Sequence, residues 1–138
     1  MKKKDSIIIG LISLAAILAG CGRGHSSGPV SFYTNPVLHS DYSDPDVIRS
    51  GSDYYMVASS FNCVPGLPVL HSTDLVNWEL TGYALERLQP EEYYSSVRHG
   101  GGVWAPCIRV HNGEFYIFYP DPDHGIFMVK ASDPEGPW

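Results

Sequence analysis

Asp44 stands in the run Ser43-Asp44-Pro45-Asp46, and a carboxylate directly before a proline admits two readings. It is either an Asx-type turn residue or, held ionised at the floor of a pocket, a general base that takes a proton from water. Asp46, two residues on, is read as structural. The other acidic candidates have plainer settings. Glu91 and Glu92 sit in a polar connection, Glu114 follows an Asn-Gly pair as a solvated strand residue, and Asp121 and Asp123 flank Pro122 in a loop. The six histidines are scattered without metal-ligand spacing, so neither a metal nor another cofactor is expected. Gly100-Gly101-Gly102 is not read as a phosphate loop, since no lysine and no helical pattern follows; such a run marks a close backbone approach. Trp104, just beyond it, reads by residue type alone as core.

Cys21 carries chemistry of another kind. Residues 1–21 open with Lys2, Lys3 and Lys4, continue through the apolar stretch Ile7–Leu18 and end in Leu18-Ala19-Gly20-Cys21, the layout of a bacterial secretory signal. About 12 apolar residues fall short of the roughly 20 that a membrane span needs. A pair of small residues directly before a cysteine resembles the lipobox of bacterial lipoproteins. That resemblance implies diacylglycerol on the Cys21 thiol, cleavage before it, and an exported protein anchored to a membrane, in the periplasm or at the cell surface. Without Lys2, Lys3, Lys4 and Asp5 the formal net charge moves from −6 to −8, which makes nucleic acid an unsuitable partner. Of the three cysteines, Cys63 and Cys107 are left. Two cysteines do not make a disulfide framework, and both are expected as buried free thiols.

The elements that must position these groups are short. Residues 22–34 are small and polar, a flexible tether, and the folded part runs from 35 to 138. There, brief apolar or aromatic runs (Val47-Ile48, Tyr54–Ala58, Val69-Leu70, Trp78–Leu80, Ile108–Val110, Phe115–Tyr119, Ile126–Val129) are broken by turn residues such as Ser50-Gly51-Ser52 and Asn112-Gly113. No helical period is sustained, and Asn-Gly between two such runs predicts a hairpin whose central residues both take positive φ. The fold class is all-β.

The chain also repeats itself. Pro45, Val47, Asp53, Tyr54, Tyr55 and Met56 fall on Pro106, Ile108, Glu114, Phe115, Tyr116 and Ile117 at a shift of 61, and Val69–Asp74 falls on Met128–Asp133 at a shift of 59. Each copy then reaches a tryptophan, Trp78 or Trp138. Two hairpins per copy predict a four-stranded unit, the size of a propeller blade, which stacks on its neighbours because one sheet cannot bury both of its faces. The second copy stops at its tryptophan, so the expectation is about two blades, the second incomplete, of a longer gene product.

Asn35-Pro36-Val37-Leu38, Ser43-Asp44-Pro45-Asp46-Val47-Ile48-Arg49, Ser59-Ser60-Phe61, Val64-Pro65-Gly66, His71–Trp78 and Gly101-Gly102-Val103-Trp104-Ala105-Pro106 together resemble glycoside hydrolase family 43. The Pro-Gly and Gly-Val-Trp-Ala-Pro segments are similar to its xylosidase-like members. The resemblance implies a five-bladed β-propeller that hydrolyses xylose- or arabinose-containing plant oligosaccharides or polysaccharides (β-xylosidase or α-L-arabinofuranosidase) with inversion. Of the family's three carboxylates it implies Asp44 as the general base. It implies Trp104 and Phe61 as walls of the sugar pocket, apolar faces suited to the C–H patches of a sugar ring. The acid glutamate and orienting aspartate have no matching motif here, so this chain alone is expected to be inactive. The alternative from another class is a surface lipoprotein that binds sugar without catalysis.

Overall fold

A computed structural model describes residues 31–138; the expected secretory signal, Cys21 and most of the expected tether lie outside the described residues. The folded unit is Tyr33–Trp138. It opens with the strands β1 (Asp46–Ser50), β2 (Asp53–Val57), β3 (Gly66–Ser72) and β4 (Glu79–Leu85), joined antiparallel in that order. A second antiparallel sheet follows, made of β5 (Cys107–His111), β6 (Glu114–Asp121) and β7 (Gly125–Ala131). Between the sheets the described chain has one short 3-10 turn, Tyr93–Ser95. The all-β expectation therefore holds among the described residues.

The repeat is the plan of the backbone. β1 and β5 begin 61 residues apart, as do β2 and β6, while β3 and β7 begin 59 apart. The Asn112-Gly113 hairpin takes φ values of 50° and 79°, as its sequence predicts, and Gly51 takes 63° in the matching turn. After β3 the Asp74 carboxylate accepts from the amides of Val76 at 2.9 Å and Asn77 at 2.7 Å. Its counterpart Asp133 accepts from the Glu135 amide at 2.9 Å. The two tryptophans diverge. Trp78 Nε1 donates to the Leu75 carbonyl at 3.0 Å, whereas Trp138, reached after one more residue, has a buried indole N–H that finds no partner among the described residues.

The core fills the space between the sheets. Val57, Leu67 and Val69 from the first sheet meet Ile108, Ile117 and Tyr119 from the second, each side drawing on alternate positions as a pleated strand requires. Tyr55 meets Phe115 edge-on at 6.0 Å. Asp46 has a structural role: on the same face of β1 as Ile48, its carboxylate accepts from the buried Ile108 amide at 2.8 Å and from Arg109 at 2.5 Å. One side chain thus ties β1 to β5.

Two expectations need correction. Cys63 and Cys107 are free, but Cys63 is exposed and Cys107 half-buried, because Cys63 falls in the open turn before β3 and not in a strand. Asp121 is not a loop residue; it closes β6 and is only 4% exposed.

Candidate active site

β1 and β5 begin, and β2 and β6 end, at the same rim of the two sheets, as their pairing registers require. Asp44 lies there, just ahead of β1. Its backbone is left-handed at φ 50°, a conformation that Asp tolerates better than most residues. The carboxylate is exposed and accepts a hydrogen bond from the Ser59 hydroxyl at 2.8 Å. The bond reaches across the chain, so the side chain is not closing a local Asx turn.

Ser59 follows β2 and is buried. Its amide donates to the Ser43 carbonyl at 3.0 Å, and its hydroxyl accepts from the Ala105 amide at 2.7 Å. Ala105 precedes Pro106 as Asp44 precedes Pro45, 61 residues on, and it too is left-handed, at φ 26°. The two leading segments thus share one kink, filled by a carboxylate in one copy and a methyl group in the other.

Phe61 and Trp104 stand beside this junction. Phe61 is bridged to Val103 by backbone bonds of 2.9 and 3.0 Å in opposite directions. Its ring meets that of Trp104 edge-on at a centroid distance of 6.4 Å. The rings are 37% and 44% exposed, so Trp104 is not the core residue that its type alone suggests. Its indole N–H donates to the Gly100 carbonyl at 2.7 Å, which fixes the ring plane.

Gly102 is where the glycine run makes its close approach. A Cβ there would stand 2.2 Å from the Phe61 carbonyl oxygen, and its φ is +90°. Tyr94 lies close to Gly101 of the run, and its hydroxyl donates to the Asp121 carboxylate. Burial, then Asp121, pushes the Tyr94 phenol well above its ordinary range. Burial alone would raise the Asp121 carboxyl, but donation by Tyr94, the Asp123 amide and His124 outweighs it and keeps the carboxyl below the usual value. His124 Nδ1 lies 3.3 Å from Asp121, and Arg98 stacks over the Tyr93 ring at 4.3 Å.

Two of the other acidic candidates are engaged elsewhere. Glu114 pairs with Lys130 at 2.8 Å and Glu91 with Arg87 at 2.6 Å. Among the described residues no three His, Cys, Asp or Glu side chains converge to hold a metal. A groove of about 600 Å³ is lined by Val37, Leu38, Tyr42, Pro45, Met56 and Trp78. Its lining is mostly apolar and does not include Asp44, Phe61 or Trp104.

Sequence reasoning brings Asp44, Phe61 and Trp104 to one rim but passes over Ser59 and Tyr94. Neither lies in a periodic pattern, and the partners of each are distant in sequence. Only the place of Ser59 two residues before Phe61 hints at a role.

Residues 33–138 match the family described as glycosyl hydrolases family 43. The chain is 38% identical over 129 residues to a non-reducing end alpha-L-arabinofuranosidase of Bacteroides ovatus, covering 91% of this chain and 24% of that protein. It is 42% identical over 113 residues to a beta-xylosidase of Bacillus subtilis, covering 76% and 21%. A solved family 43 structure from the xyloglucan locus of Bacteroides ovatus superposes with a TM-score of 0.66 at 40% identity, over 75% of this chain and 21% of that one. The chain therefore spans about a quarter of the length of the curated relatives that it matches.

Proposed function

The chain belongs to glycosyl hydrolase family 43, and from that premise we propose that it contributes the general base and part of the sugar pocket of an inverting glycosidase. The substrates are xylose- or arabinose-containing plant oligosaccharides or polysaccharides. The observation that carries this reading is the Asp44 carboxylate, held by Ser59 beside the exposed pair Phe61 and Trp104. Asp44 takes a proton from a water molecule, whose oxygen attacks the anomeric carbon on the face opposite the leaving group. A second carboxyl group, outside the motifs of this chain, gives its proton to the departing oxygen. Inversion follows because a single displacement exchanges the two faces, with the carboxyl groups roughly 6.5–9.5 Å apart to admit the water. Trp104 and Phe61 offer flat apolar surface to the ring.

The two sheets are read as the first blades of a five-bladed propeller. Phe118, Ile126 and Met128 on the outward face of the second sheet are 40%, 78% and 48% exposed. Their repeat counterparts Val57, Leu67 and Val69 are buried against that second sheet. Another sheet stacked in the same manner would cover the exposed set. The Leu18–Cys21 motif supports export and lipid anchoring, and incorporation of labelled fatty acid that is lost in Cys21→Ala tests it.

The activity test follows hydrolysis of aryl β-D-xyloside and aryl α-L-arabinofuranoside by the whole protein, reading the anomer released by NMR. The expected result is the inverted sugar first, with kcat falling about 10²–10⁴-fold in Asp44→Asn. Undiminished turnover in that variant removes Asp44 as base, and a retained anomer removes the single displacement. The 138-residue chain alone, with one carboxylate of three, is expected to turn over neither substrate. Saturable xylo-oligosaccharide binding without any hydrolysis by the whole protein would favour the non-catalytic sugar-binding reading.

A further inference from the structure

We infer that Ser59 is the positioning residue of this site, its hydroxyl holding the Asp44 carboxylate in register with the aromatic wall that starts at Trp104. The inference rests on the reading of Asp44 as the base. A serine hydroxyl has one proton and two lone pairs. The Ala105 amide, 2.7 Å away, can only donate, so the oxygen accepts there and its proton is committed to Asp44 Oδ2 at 2.8 Å. With Ser59 only 7% exposed, water does not compete readily for that proton. The Ser59 amide also donates to the Ser43 carbonyl at 3.0 Å, which fixes the backbone immediately before the base.

The internal repeat tells a local packing role from service to the carboxylate. The counterpart of Asp44 is Ala105, and the counterpart of Ser59, at the same shift of 61, is Pro120. Where the kink carries a carboxylate, the facing residue is a hydroxyl; where it carries a methyl group, the facing residue has neither hydroxyl nor amide hydrogen. The Pro120 carbonyl instead accepts from the Trp104 amide at 2.9 Å, so the second sheet closes its kink through backbone alone. The backbone kink therefore does not itself require a serine, and the Ser59 hydroxyl is accounted for by the two groups it joins, the Asp44 carboxylate and the Ala105 amide. Since the same oxygen takes the amide next after Trp104, the base and the wall are set from one atom.

NMR on the full 138-residue chain tests this. The wild type is expected to show a slowly exchanging Ser59 hydroxyl proton that vanishes in Asp44→Ala, a change at an exposed position. Three-bond couplings should report a single Asp44 χ1 rotamer in the wild type and averaging in Ser59→Ala. The Ala105 amide should exchange about tenfold faster or more in Ser59→Ala, having lost its acceptor. Ser59→Thr, which keeps the hydroxyl, should restore both signals. Absence of the hydroxyl proton in the wild type, a fixed Asp44 rotamer in Ser59→Ala, or a threonine variant that behaves like the alanine one would each overturn the inference. None of these signals uses turnover, so failure of the base assignment in the Asp44→Asn assay and failure of the positioning role are separate results.

Discussion

Replacing Gly102 by alanine should destabilise the folded unit more than any other single methyl addition at its glycines. The added Cβ would stand 2.2 Å from the Phe61 carbonyl oxygen and 2.7 Å from its carbon, both backbone atoms that cannot rotate away. Relief requires parting the Phe61–Val103 bridge, which has two backbone hydrogen bonds with a net value of about 1 kcal/mol each. A left-handed backbone at φ +90° adds roughly 1–2 kcal/mol for any residue with a Cβ. The total is about 3–4 kcal/mol, and at about 4–8 °C per kcal/mol for a unit of this size the melting midpoint should fall by roughly 12–30 °C. The internal control is Gly51→Ala. Its φ is +63° with nothing within 4 Å of the added Cβ, so only the backbone term of roughly 1–2 kcal/mol applies. Thermal unfolding followed by circular dichroism compares the two, with tryptophan fluorescence as a second probe. Loss of any cooperative transition in Gly102→Ala, with Gly51→Ala still melting sharply, agrees with the reasoning. Equal midpoints for the two variants would refute it, because the close approach would then carry no energy.

Asp46→Ala leaves the buried Ile108 amide without its acceptor, a cost of about 1–3 kcal/mol, whereas Arg109→Ala removes only an exposed partner and should cost less than about 1 kcal/mol; urea unfolding of both checks the ranking. Acid should destabilise the unit. The Asp121 carboxyl is held below its unfolded value, so its contribution is present above roughly pH 4 and is lost as the pH falls through the lower folded value. Melting curves between about pH 5 and 2 should therefore be flatter for Asp121→Asn than for the wild type. At the alkaline end the sign reverses: the Tyr94 phenol is raised, so its contribution is full below about pH 10 and fades above it, a loss that Tyr94→Phe should reduce. Trp104→Ala should weaken xylo-oligosaccharide binding while changing the melting midpoint less than Gly102→Ala, since the ring is 44% exposed; calorimetric titration and thermal melts separate the two effects.

The strands were legible because the repeat aligns chemical character position by position. Val47 on Ile108 and Met56 on Ile117 are enough to place β1 with β5 and β2 with β6. The Asn112-Gly113 turn is a local rule, and it holds. The joints between elements were less legible. Tyr94 meets Asp121 across 27 residues and Ser59 meets Ala105 across 46, and nothing within a window of adjacent residues encodes such a meeting. β4 runs to Leu85, although its residues Thr81, Gly82 and Tyr83 show no apolar alternation, because backbone pairing to β3 sustains it. The exposure of Trp104 was visible only through family resemblance; by residue type a tryptophan beside valine and alanine belongs in the core. Cys63 misled in the opposite sense, since a buried-residue preference averages over settings and its turn is an open one.

The shared kink at Asp44 and Ala105 has a consequence for how such a protein can change. A duplicated unit inherits the whole mount, meaning the left-handed residue, the proline behind it and the anchored segment in front, whether or not it needs the side chain that the mount was shaped to present. Selection can then vary one residue per copy without remaking the strand that carries it. The rim becomes a set of interchangeable sockets, of which the first holds an acid and the second is blank. Installing a carboxylate at position 105 would therefore ask little of the fold, and the harder part would be supplying, in place of Pro120, a hydroxyl to steady it.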